Sequence, residues 1–194
     1  RFGVPFSEFD TVFFGVGVER TEIKAATAIP NSYYLYRAQY GATSDSLPLT
    51  LGWQRDERDS VLTPTRGRYQ RVNVEWSIAG DVRYLRTNLQ WQQFWPLPAK
   101  LSFGLNTELG IGKGIGGRPF PLFKNFYGGG LGSVRVFEQG SLGVTDPTGA
   151  FIGGSRRFNV NAELYFPVPG TGNDKSLRIF AFTDAGNVWA EHEK

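Results

Sequence analysis

Apolar and polar residues alternate along most of this chain with a period of two, the pattern of strands that show one face to an apolar environment and the other to a polar one. The clearest run begins at Leu101. Leu101, Phe103, Leu105, Thr107, Leu109 and Ile111 share one face, and Ser102, Gly104, Asn106, Glu108, Gly110 and Gly112 share the other. Phe158, Val160, Ala162, Leu164 and Phe166 alternate with Asn159, Asn161, Glu163 and Tyr165. Val72, Val74, Trp76 and Ile78 alternate with Arg71, Asn73, Glu75 and Ser77, and Val12, Phe14, Val16 and Val18 with Phe13, Gly15, Gly17 and Glu19. Less regular versions run through 47–57, 83–96 and 176–189. The pattern predicts seven strands, with Arg1–Val4 as the tail of an eighth. Most would be about 10 to 14 residues long, against about 5–6 for a globular strand and about 9–11 for a tilted strand crossing a bilayer.

Two stretches break the alternation. Pro30-Asn31-Ser32, followed by Tyr33, Tyr34, Tyr36, Tyr40 and Gly41, predicts a short helix. Ser32 would be its N-cap, Tyr33, Tyr36 and Tyr40 one face, and Gly41 its stop; a strand is the competing reading. The other break is 114–155, a Gly-rich connection too long for a compact domain unless it is functional. By contrast Trp95–Lys100 is a tight turn, and Pro167–Lys175 is fairly short. Outer-membrane barrels place short turns on the periplasmic side and long loops outside, so 114–155 and 23–46 are expected on the extracellular side. Trp53, Trp95 and Trp189, with many Tyr and Phe, fall near strand ends as an interfacial girdle requires.

Composition sharpens this picture. The 194 residues are 15% aromatic and include 25 Gly, with no Cys and no Met. Only 40% are hydrophobic, and no stretch approaches the about 20 apolar residues of a membrane-spanning helix. A hydropathy scan would therefore read the chain as soluble. That reading is unsafe, because a spanning strand shows only alternate residues to lipid. The net charge of +3, from 21 basic and 18 acidic residues, is too balanced to argue for nucleic acid. The absence of Cys fits an oxidising compartment. Arg1 is an unusual start, and both ends read as cuts within a longer protein. The expected fold class is all-β: an antiparallel transmembrane β-barrel, here a partial barrel of about seven to eight strands. Residues 1–194 would be part of a single outer-membrane barrel domain, with a long lumenal loop at about 114–155.

Candidate chemistry is sparse. The glycines of 110–117 with Lys113 resemble a phosphate loop only superficially. No Ser or Thr follows Lys113, and Pro119 and Pro121 stand where such a loop needs a helix. Loop flexibility and tight packing explain them better. The run Asp56, Glu57 and Asp59, flanked by Arg55 and Arg58, reads as a solvated periplasmic turn and not as a metal site. The one His is His192, near the chain's end. No catalytic residue, metal or cofactor is expected, and the chain is not expected to be an enzyme.

Gly112–Phe137 reads GKGIGGRPFPLFKNFYGGGLGSVRVF. It has a Gly-rich strand exit, a Pro-Phe pair, and Asn125-Phe126-Tyr127 followed by Gly128, Gly129 and Gly130. It ends in Val134, Arg135, Val136 and Phe137. This segment resembles the loop-six region of the BamA family, the insertases of the outer-membrane barrel-assembly machinery. The family has Gly where Val136 stands. Three further stretches match in order. Asp59–Gly67, with Pro64-Thr65-Arg66-Gly67, resembles the family's turn before a strand. Gly153-Gly154 before the strand holding Ala162-Glu163-Leu164 resembles the strand after loop six. Asp184-Ala185-Gly186-Asn187-Val188-Trp189 is similar to the family's Asp-x-Gly-x-Val-Trp strand end.

The resemblance implies a barrel of about sixteen strands, an even number as usual for this class, of which this chain would hold roughly the sixth to the thirteenth. The periplasmic POTRA domains, and the seam between first and last strands, would lie outside it. It implies that loop six folds back into the lumen, packed through Gly128, Gly129 and Gly130, with Arg135 against lumenal salt-bridge partners Glu163 and Asp184. The alternation agrees: Glu163 is on the polar set of its strand, and Asp184 is in phase with Arg178 and out of phase with Leu177, Ile179 and Ala181. A β-branched Val136 is a poor substitute if the position needs positive φ. The implied function is assembly of β-barrel proteins into the bacterial outer membrane. The implied partners are unfolded outer-membrane proteins, the lipid bilayer, and assembly-machinery lipoproteins bound through domains not in this chain. Two other readings stay open: a two-partner-secretion or autotransporter-assembly translocase, and a passive porin-like channel.

Overall fold

The computed structural model describes residues 1–24, 29–168, 170 and 177–191. Its strands are β1 (Phe2–Pro5), β2 (Asp10–Val16), β3 (Glu19–Glu22), β4 (Thr43–Asp56), β5 (Gly67–Gly80), β6 (Tyr84–Pro96), β7 (Ser102–Gly114), β8 (Val144–Thr145), β9 (Phe151–Gly153), β10 (Arg156–Pro167) and β11 (Arg178–Trp189). One helix, α1, spans Asn31–Tyr40. Nine strands form a single antiparallel sheet ordered β1-β2-β4-β5-β6-β7-β10-β11, with β3 on β4. Every neighbour along this path is a sequence neighbour once the loop elements β3, β8 and β9 are set aside. This up-and-down order is that of a barrel wall, and β1 and β11 are its two edges.

The ladders confirm the two faces. One transverse row runs Val12–Trp53–Val72–Leu89–Leu109–Phe158, and the next runs Phe13–Gly52–Asn73–Asn88–Gly110–Arg157. Because side chains alternate, each apolar row lies on the outer face and each polar row on the inner one. The outer face leaves Phe14, Val16, Leu51, Trp76, Leu89, Trp95, Ile111 and Phe158 exposed, while Ser102, Asn159 and Asn161 on the inner face are buried. A contiguous apolar band outside and polar groups inside is the reverse of a water-soluble sheet packed on a core, and it is what a lipid-facing barrel wall requires. No helix among the described residues is long and apolar enough to cross a membrane.

The expected strands are present, most with slightly different bounds, and β4 begins at Thr43, earlier than the alternation implied. Its N-terminal part is interrupted by a register shift between Ser46 and Pro48, which hides the period. The short β3 was not anticipated; its four residues are too few to show a period. The start of the last strand at 176, the connection through Lys175, and His192 lie outside the described residues.

The tyrosine-rich segment is a helix, ending at Gly41 with φ 95° and its N–H donating to the Arg37 carbonyl. Ser32 is not its N-cap. The cap is Pro30, whose carbonyl accepts from Tyr33 and Tyr34 N–H, and no side chain caps the helix. Ser32 therefore lies inside the first turn, where its own N–H donates to Asp146 of the long loop.

Candidate functional site: the inner loop and its two anchors

The 114–155 segment folds back over the inner face instead of standing away from it. Aromatic side chains on a floor of glycines fix its first half. A Cβ on Gly110 would lie 2.7 Å from the Phe126 ring, and one on Gly112 would collide with Phe120. Phe120 and Phe126 are almost fully buried and stack on each other at 6.4 Å, while Phe120 meets Tyr84 edge-on at 5.9 Å. The glycines that broke the polar phase of β7 are thus seats for rings. Asn125 ties the same stretch to the Ile152 carbonyl at 2.7 Å, and Phe126 makes an antiparallel bridge with Gly154. The Pro-Phe and Asn-Phe-Tyr motifs consequently form one packed unit.

Gly128, Gly129 and Gly130 carry the chain round the next bend. Gly128 bridges Leu142 and lies so close to Val188 that a Cβ would approach it to 2.9 Å. Gly129 and Gly130 have φ of 97° and 85°, a region that side-chain-bearing residues rarely adopt.

The tip brings Val134, Arg135, Val136 and Phe137 to β10 and β11. Val134 is buried, and Arg135 reaches the wall. Its Nε donates to Asp184 Oδ2 at 2.8 Å, its Nη2 to Asp184 Oδ1 at 2.7 Å, and its backbone N–H to Asp184 Oδ2 at 3.0 Å. Its Nη1 lies 2.5 Å from Glu163 Oε1. This is the forked geometry that a guanidinium supports and an ammonium does not. The guanidinium also lies 3.9 Å above the Phe182 ring. Asn161 closes the ring of contacts by donating to Asp184 Oδ1 at 2.8 Å and to the Ser133 carbonyl at 2.5 Å. Asp184 is opposite Asn161 in the ladder, and Glu163 is opposite Phe182, so one short patch of two strands supplies every partner. The Asp184 side chain is 2% exposed and that of Arg135 13%.

Val136 is not among the residues with positive φ, and it is 85% exposed. Its place in the motif needs neither glycine's backbone freedom nor a close approach, so the substitution costs the loop nothing here.

A second anchor was not visible in the sequence. Lys124 donates to Glu19 at 2.8 Å and to Glu75 at 3.0 Å, and Glu75 also accepts from the Tyr84 hydroxyl. The Lys124 side chain is 15% exposed. Its pKa is raised, because burial is outweighed by donation to Glu19, Tyr84 and Glu75. A lysine among loop aromatics carries no periodic signal that would mark it. Outside the sheet, Tyr33 of α1 touches Tyr127 and the Leu122 carbonyl, and Tyr36 meets Phe123 edge-on at 6.2 Å.

The acidic run of the β4–β5 turn is consumed by arginines. Arg58 pairs with Asp56, while Arg55 and Arg68 pair with Glu57. Asp59 instead accepts from the Thr65 N–H at 2.8 Å and from its hydroxyl, which folds the Pro64–Gly67 turn.

Residues 1–194 match the profile of the Omp85 superfamily domain over their whole length. The chain belongs to the Omp85 superfamily. Among its Omp85 relatives, it is 38% identical to the outer membrane protein assembly factor BamA of Neisseria meningitidis over 97% of the chain and 26% of that protein. It is 32% identical to the sorting and assembly machinery component 50 homolog of Mus musculus over 69% of the chain and 29% of that protein. The chain thus spans between a quarter and a third of these relatives' length. Among solved structures, it is similar to BamA from Haemophilus ducreyi lacking POTRA domains 1–3, with a TM-score of 0.86 and 21% identity. That match covers 97% of this chain and 40% of the other, and it shows the Omp85 barrel fold.

Proposed function

We propose that this chain is part of a single outer-membrane barrel domain whose protein folds and inserts β-barrel proteins into the bacterial outer membrane. The observation that carries the reading is the 38% identity to a bacterial assembly factor across 97% of the chain, which includes both halves of the Arg135 contact. Relatives whose names denote assembly, in bacteria and in animals, support this above a secretion translocase or a passive pore. The work is conformational and requires no bond chemistry. An unpaired strand edge offers an incoming chain the backbone partners that lipid cannot provide. In this reading the Val134–Phe137 tip, packed through Gly128–Gly130, braces β10 and β11 from within so that the wall keeps its shape while edges exchange elsewhere. Unfolded outer-membrane proteins are the substrates and the bilayer the medium, while lipoprotein subunits dock outside this chain.

Depletion of the protein in its host tests the proposal. Outer-membrane barrel proteins in general are expected to fall in abundance, while α-helical inner-membrane proteins persist. Loss of one secreted substrate with other barrels unaffected would favour a dedicated translocase and refute it.

A further inference from the structure

The inner face carries a charge cluster that neither anchor uses. A cavity of about 350 Å³ opens on β5, β6 and β7 beside the loop, lined by Arg71, Asn73, Arg86, Asn88 and Glu108 among others, with Arg157 at its side. Glu108 is paired with Arg157 at 2.7 Å, and Glu75, the other lining carboxylate, is held by Lys124 and Tyr84. Among the described residues neither Arg71 nor Arg86 makes a salt bridge or a hydrogen bond through its side chain; Arg86 faces Glu75 across the β5–β6 ladder and is attracted to it, but that carboxylate is shared with Lys124 and Tyr84. The Nε atoms of Arg71 and Arg86 are buried without a partner, as is that of Arg157. Arg86 and Arg157 lie over the Phe126 ring at 4.4 and 5.8 Å, so the ring holds both guanidinium planes. At the rim Arg1 donates to Asn73 Oδ1 at 2.9 Å.

Guanidiniums whose Nε atoms are buried without a partner, facing a polar cavity whose two carboxylates are engaged by other cations, are costly unless something supplies further negative charge. Planar guanidiniums held on a ring, with amide donors between them, match the oxygens of a phosphate or a carboxylate in geometry and in charge. We propose that this cavity is an oxyanion-binding site of the barrel interior, with Arg71 and Arg86 as the principal ligands and the Asn73 and Asn88 amides as supplementary donors. The proposal rests on the inner-face placement of these side chains and is independent of the assembly activity.

The test uses detergent-solubilised full-length protein, titrated calorimetrically with inorganic pyrophosphate and, separately, with citrate at fixed ionic strength in a chloride background. Saturable binding of either anion is expected, and the two arms separate phosphate from carboxylate preference. R71Q/R86Q is expected to weaken binding by roughly tenfold or more, the scale of a lost hydrogen bond between charged groups. R71K/R86K keeps both charges and loses only the fork, so it is expected to weaken binding less; R68Q, at the start of β5 where Arg68 pairs with Glu57, is expected to leave it unchanged. Heat-modifiable migration of each variant on gels reports whether the barrel has folded. Absence of saturable binding for both anions would overturn the proposal, as would equal binding by R71Q/R86Q and the unmodified protein.

Discussion

Removal of Arg135 is the perturbation whose size the structure fixes best. Arg135→Ala takes two side-chain donors from Asp184, whose side chain is 2% exposed and keeps the backbone N–H at position 135 and the Asn161 amide as partners. It also takes the counter-charge from Glu163, which is 22% exposed and so better able to turn to solvent. Stranding one member of a buried pair costs roughly 3–5 kcal/mol. The Arg20–Asp45 pair has similar geometry, with Nη2 2.6 Å from Oδ2, but its side chains are 72% and 42% exposed. Such a pair contributes little, because solvent screens it. Arg135→Ala is therefore expected to lower the urea midpoint of the full-length barrel, read by heat-modifiability, far more than Arg20→Ala. Arg135→Glu is expected to be worse still, since it places a third carboxylate beside Asp184 and Glu163. Adding Asp184→Arg is expected to restore part of the loss, less than all of it, because Glu163 and the Asn161 amide remain suited to the original arrangement. The coupling is the double-mutant term. Equal costs for Arg135→Ala and Arg20→Ala, or a double variant as damaged as the sum of the singles, would refute the reasoning.

Further outcomes follow from the same geometry. Lys124→Met leaves Glu19 and Glu75 without their shared donor and is expected to cost about 1.5–3 kcal/mol, the range for hydrogen bonds to charged groups; faster protease cleavage within 114–130 would report it. Gly112→Ala forces Phe120 off its seat and is expected to cost about 1–3 kcal/mol by overpacking, whereas Gly132→Ala, with nothing within 4 Å of the added Cβ, is expected to leave the urea midpoint unchanged. A cysteine at Asn106 is expected to react with a membrane-impermeant reagent and those at Leu105, Val160 and Leu164 to stay protected; the opposite pattern would invert the sheet. The Asp146 carboxyl is held below its ordinary 3.8 by the Thr148 hydroxyl first, then by the N–H groups of Thr148, Ser32 and Ala150. A depressed carboxyl contributes stability above its unfolded pKa and loses it as pH falls through the folded value. Docking of the loop on α1, followed by proteolysis of the loop, is therefore expected to hold at neutral pH and weaken only below about pH 4; Asp146→Asn should weaken it at every pH.

What could be read from the chain alone follows from which forces leave a periodic trace. β7 and β10 were legible because lipid and lumen select alternate residues over ten or more positions, and the phase of Glu163 came with them; that of Asp184 came from the less regular alternation of β11. The pairing of those two with Arg135 was not periodic; it came from resemblance in the loop motif. β3 and the β8–β9 hairpin are too short to carry a period. Ser32 misled because a hydroxyl before a helical run is a sound cap only when the backbone ahead of it is extended, and here Pro30 takes that place. Lys124 and the Phe182 ring beneath Arg135 were invisible for a different reason. Their roles depend on a loop folding back across five strands, a contact between residues far apart in sequence that no local pattern encodes.

The most direct test of the central claim is reconstitution of the full-length protein into liposomes with an unfolded outer-membrane barrel protein as substrate, its folding followed by heat-modifiability. The expected result is faster substrate folding than in empty liposomes, with the acceleration lost in Arg135→Glu and partly regained in Arg135→Glu/Asp184→Arg. Substrate folding no faster than in empty liposomes, with the reconstituted barrel itself intact, would contradict the account.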